Sequence, residues 1–185
     1  KIAWYENEVG ESGADGDGFG AQQVITTSVS DAQSVAAGDL DGDGDLDVLS
    51  ASVFAEKIAW YENEVGESGA DGDGFGTQQV ITTSVGIAQS VAAGDLDGDG
   101  DLDVLSASFD DKIAWYENEV GESGADGDGF GAQQVITTSV SDAQSVAAGD
   151  LDGDGDLDVL SASVFAEKIA WYENEVGESG ADGDG

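Results

Sequence analysis

This chain is one unit written repeatedly, and that limits its folds more than any other feature. The run KIAWYENEVGESGADGDGFG starts at Lys1, Lys57 and Lys112, and begins again at Lys168. Successive starts lie 56, 55 and 56 residues apart. Units 1–56 and 112–167 are identical. Unit 57–111 differs at Thr77, at Gly86-Ile87 and in Phe109-Asp110-Asp111, which stand for Ala21, Ser30-Asp31 and Val53-Phe54-Ala55-Glu56 of the first unit. Residues 168–185 are a third of a further unit. Such periods belong to stacked architectures, where each unit buries its apolar surface only against its neighbours. Near-identical units also argue against one asymmetric active site.

Each unit reads as strands. Segments 32–37, 47–52, 57–62 and 78–83 are short, β-branched or alternating, and separated by glycine-rich turns. No stretch holds a 3.6-residue period long enough for a helix. Four short strands in about 55 residues match a propeller blade. The fold class expected is therefore all-β, with propeller-type blades of four antiparallel strands in three repeats plus a partial one. Ile58 and Trp60 alternate with Ala59 and Tyr61, so the third strand offers a large ring to each side. Small residues at 35–38 suit a crowded innermost strand. The eight rings Trp4, Tyr5, Trp60, Tyr61, Trp115, Tyr116, Trp171 and Tyr172 read as inter-blade core, with an exposed sugar-binding platform as the alternative. Residues 1–29 read as strands three and four of one blade, and 143–175 as strands one to three of another. Three blades are too few to close a ring. The expectation is an open segment, completed by other chains, built into a filament, or cut from a longer array. The first residue is Lys1, which fits a processed chain or a segment of a longer one.

The chemistry sits in DLDGDGDLD, at 39–47, 95–103 and 150–158. The spacing D-x-D-x-D-G-x-x-D can aim Asp39, Asp41, Asp43 and Asp47 at one point, with the Asp45 carbonyl as a fifth ligand. The matching sets are Asp95, Asp97, Asp99, Asp101 and Asp103, and Asp150, Asp152, Asp154, Asp156 and Asp158. Gly44 permits the sharp reversal. Calcium takes six to eight hard oxygens in tolerant geometry, whereas magnesium wants a rigid octahedron with several waters. Two carboxylates about 4 Å apart repel by roughly 4 kcal/mol at an effective dielectric near 20. Converging aspartates therefore call for a cation, and Ca2+ is the cofactor expected. Position twelve from Asp39 is Ser50, so the loop lacks the bidentate glutamate of an EF-hand. A second acidic run, at 13–18, 69–74, 124–129 and 180–185, reads either as an inter-strand turn or as a weak extra cation site.

Composition narrows the partners. There are 41 acidic residues against four lysines, no arginine and no histidine, for a formal net charge of −37. Phosphate backbones and anionic membrane surfaces need cationic side chains, so neither is an expected partner. With no cysteine or histidine there is no disulfide, no thiolate nucleophile and no Ser-His-Asp triad. The chain is not expected to be an enzyme. No run of 18 apolar residues occurs, so no membrane insertion by a helix is expected. The regular apolar positions argue against disorder despite the charge.

Taken together, the 39–47 loop between 35–38 and 48–50, the run 57–63 and Phe75-Gly76 resemble the FG-GAP/VCBS repeat. That is the calcium-binding blade of integrin-α-like propellers and of many secreted bacterial proteins. The chain departs from it in the long turn 64–74. The resemblance implies a β-propeller, usually of seven blades, with calcium on the aspartates named above. It also implies a secreted, extracellular or cell-surface location. The function expected is a calcium-stabilised structural or adhesive repeat that self-associates through blade edges, as an oligomer or filament, or meets a polysaccharide or extracellular protein. A lectin-like carbohydrate-binding module is the alternative.

Overall fold

A computed structural model describes residues 1–8, 19–65, 74–120 and 129–176. Described strands are β1 (Ile2–Asn7), β2 (Phe19–Thr26), β3 (Ala32–Gly38), β4 (Asp47–Ser52), β5 (Lys57–Tyr61), β6 (Gln79–Thr82), β7 (Ala88–Gly94), β8 (Asp103–Ser108), β9 (Lys112–Tyr116), β10 (Gln134–Thr137), β11 (Ala143–Gly149), β12 (Asp158–Ser163) and β13 (Lys168–Tyr172). They form antiparallel sheets in the orders β1-β2, β3-β4-β5-β6, β7-β8-β9-β10 and β11-β12-β13. The fold is all-β, a series of propeller-like blades that does not close. Each full blade takes two strands from one sequence unit and two from the next.

Cross-strand register explains how one sequence serves two faces. Leu105 pairs with Trp115 and Ala107 with Ile113, while Val104 pairs with Tyr116. Strand side chains alternate, so the first set faces one neighbour and the second the other. One buried cluster joins Leu49, Ala51, Ile58 and Trp60 of the β3–β6 blade to Val91, Val104 and Tyr116 of the next. A second joins Leu105, Ala107 and Ile113 to Val146 and Val159. Trp60, Tyr61 and Tyr116 are buried core, as expected, but Tyr5 and Trp171, on the incomplete first and last sheets, are 51% and 47% exposed and are not, because no complete blade covers them.

The innermost strands touch across the blades. Val91 N–H donates to Ser34 Oγ (3.3 Å) and Val146 N–H to Ser90 Oγ (3.4 Å). Gly38 lies close to the next blade, where a Cβ would meet Leu102 Cδ1 at 2.8 Å and the leucine side chain would have to shift.

Burial follows the neighbour and not the residue. Val35 is 58% exposed, while Val91 and Val146 of the identical strands are 5% and 6% exposed. Ile113 is fully buried and Ile169 is 81% exposed. Ile113→Ala should therefore cost about 2–5 kcal/mol, the range for deleting a buried isoleucine side chain. The same change at Ile169 should stay within about 0.5 kcal/mol, as exposed substitutions do. Urea denaturation of the two variants checks this, and equal losses would contradict the stacked arrangement.

Candidate metal centre

Each DLDGDGDLD loop joins the first strand of a blade to its second. Residues 39–47 link β3 to β4, 95–103 link β7 to β8, and 150–158 link β11 to β12. In an antiparallel sheet of sequential strands, the first and third connections leave from the same rim. The acidic loops therefore share a rim with the β5–β6 and β9–β10 connections. These are closed at their bases by Glu64 N–H to Gly74 O (3.1 Å) and Glu119 N–H to Gly129 O (2.9 Å).

The loop is wound by its own carboxylates. Asp39 accepts from Gly42 N–H (2.8 Å) and Gly44 N–H (3.1 Å). Asp41 accepts from Asp43 N–H (3.2 Å), and Asp43 from Asp45 N–H (2.8 Å). Short polar side chains bonding to backbone two or three residues ahead are the ordinary chemistry of such turns. Gly42 and Gly44 take φ of 77° and 99°. A Cβ on either would meet nothing within 4 Å, so the requirement is conformational. The 95–103 loop repeats every one of these bonds.

This winding brings three carboxylates together. Oxygens of Asp39, Asp41 and Asp43 lie within 4.8 Å of one another, as do those of Asp95, Asp97 and Asp99, and of Asp150, Asp152 and Asp154. Ligands at 2.3–2.6 Å from a calcium ion can be at most about 5 Å apart, so the spacing fits one shared ion of that size. Burial pushes the Asp41 and Asp97 carboxyls up, and the neighbouring aspartate charges add to it. Among the described residues one ion pair forms, Lys112 Nζ to Asp110 (2.6 Å), and it lies outside the loops.

The last aspartate is placed differently. Asp47, Asp103 and Asp158 are buried beneath the loop. Asp47 Oδ2 accepts from Leu40 N–H and Oδ1 from Asn63 N–H, both at 2.8 Å. Asp103 does the same with Leu96 and Asn118, and Asp158 with Leu151 and Asn174. A carboxylate offers about four lone-pair sites, so two remain on each. Burial raises the Asp103 carboxyl to about 6, against two backbone donors and with help from the charges of Asp97 and Asp99. Burial raises Asp47 likewise.

Asp45 and Asp101 lie outside the triplets, and so does Asp156. The second acidic run falls outside the described residues apart from Gly74 and Gly129. Sequence reading passed over the asparagine that ends each KIAWYEN run. Asn63, Asn118 and Asn174 each hold the buried aspartate through the backbone N–H. The signal was its fixed place after the third strand.

Blades in series, three of them with an acidic loop between their first two strands, define a repeat protein. The FG-GAP-like repeat family matches residues 1–50 and 95–161, well over half of the chain, and the chain belongs to that family. Such repeats are typical of extracellular or surface proteins and are generally not enzymatic. They often bind calcium. No curated protein matches the chain. Among the described residues no helix is long and apolar enough to cross a membrane.

Proposed function

We propose that this chain is a calcium-stabilised extracellular structural or adhesive repeat. The observation that carries the reading is the threefold recurrence of carboxylate triplets within 4.8 Å, each wound on glycines at positive φ. Asp39, Asp41 and Asp43, the Asp45 carbonyl and the free lone pairs of Asp47 would hold the ion. The 95–103 and 150–158 loops would use the matching residues. A bound cation would cancel repulsion at the rim and so let acidic blades stack.

End-to-end self-association belongs to the same reading. Val35 of β3, and Ile169 and Trp171 of β13, are exposed counterparts of residues that pack inside the stack. Sedimentation velocity in millimolar calcium should show a mass that grows with concentration. A monomer at every concentration would argue against it.

Titration calorimetry tests the metal assignment. The chain should take up three calcium ions, one per triplet. The variant D43A/D99A/D154A should take up almost none, and undiminished stoichiometry in it would contradict the ligand set.

A further inference from the structure

The three acidic loops are joined to one another through asparagine. Asn118 is buried. Its backbone N–H donates to Asp103 Oδ1 beneath its own blade's loop (2.8 Å). Its side-chain amide donates to Leu102 O in that loop (3.0 Å) and to Leu40 O in the loop of the preceding blade (2.8 Å). Asn174 repeats the arrangement, with its backbone on Asp158 (3.0 Å) and its amide on Leu157 O (3.1 Å) and Leu96 O (2.6 Å). An amide has two N–H donors, and here one is given to each of two loops.

These bonds link end to end. Leu40 N–H donates to Asp47 (2.8 Å), and Leu40 O accepts from Asn118. Asp103 bonds Asn118 through one oxygen and Leu96 N–H through the other (2.8 Å). Leu96 O then accepts from Asn174. Leu40 and Leu96 each lie between the first two carboxylates of a triplet, so holding their peptides restricts where Asp39 and Asp41, or Asp95 and Asp97, can point. An ion that rearranged one loop would thereby act on a bond shared with the next. Two sites are coupled when the state that favours filling one is also the state that favours filling the other.

We propose that Asn118 and Asn174 are positioning residues that couple neighbouring loops, so that the three cation sites fill cooperatively. The proposal rests on the reading that the loops bind a divalent ion. Asn63 provides an internal control. Its amide donates to Leu46 O of its own loop (3.1 Å), and among the described residues it reaches no second loop.

Calcium titration followed by calorimetry and tryptophan fluorescence tests the coupling. The unaltered chain should bind three ions with a Hill coefficient clearly above 1. N118A/N174A should bind three ions with a coefficient of 1 and a midpoint raised about 5-fold or more, the lower end of ordinary coupling. N118A alone should leave the second and third loops coupled and the first independent. N63A should keep the full cooperativity. Three-site binding without cooperativity in the unaltered chain would overturn the proposal even if every variant failed to fold. So would N118A/N174A keeping the unaltered chain's coefficient. No calcium uptake by the unaltered chain would instead overturn the metal reading beneath it.

Discussion

Excess chelator should lower the melting temperature of this chain by about 10 °C relative to millimolar calcium. Extracellular calcium sites commonly have dissociation constants near 10⁻⁴–10⁻³ M. At about tenfold excess over such a constant, each site stabilises the fold by ~1.4 kcal/mol. Three independent sites give ~4 kcal/mol, a large share of the 5–15 kcal/mol typical of a domain. For a chain of this length each kcal/mol moves the midpoint by roughly 2–4 °C. Simple screening is separable from site binding. Sodium chloride shortens the reach of the −37 net charge, and it should stabilise the chelated protein and D43A/D99A/D154A alike. Calcium should stabilise only the chain with intact loops. A melt that is the same in calcium and in chelator would rule out a structural role for the ion.

Without divalent cations, the chain should become more stable as pH falls from about 7.5 to 5. The Asp103 carboxyl is raised to about 6 by burial, whereas an unfolded aspartate titrates near 3.9. A group whose folded pKa is the higher one binds its proton more tightly in the folded state. Its contribution therefore appears as pH falls through about 6 and is complete below about 4. Burial moves Asp47 in the same direction. With calcium present the slope should invert, because protons then compete with the cation for the same oxygens. Denaturation midpoints at three pH values, with and without calcium, would trace two lines of opposite slope. Steady loss of stability on acidification in chelator would refute the argument.

Much of this was readable from residues alone. The 47–52 strand is reproduced residue for residue, 32–37 and 57–62 each move by one residue at an end, and 78–83 shortens by one residue at both ends. Local chemistry set these elements: β-branched alternation made the strands, and Asp-Gly spacing wound the loops. Of the four side chains expected to converge, those of 39, 41 and 43 lie together, whereas Asp47 is held beneath the loop by the N–H groups of Leu40 and Asn63. The asparagine bridge was not legible. Asn118 and Leu40 are 78 residues apart, and nothing local distinguishes Asn118 from Asn63.

The repeat thus determined the blades, their strands and the positions of the aspartates, since these depend on contacts within about twenty residues. Tertiary structure alone decided which copies of a residue are buried. Val35 and Val91 share one heptapeptide, AQSVAAG, yet only Val91 has a blade against it. It also decided which loops are tied together, because a side chain's environment includes its neighbours in space, and stacking supplies those.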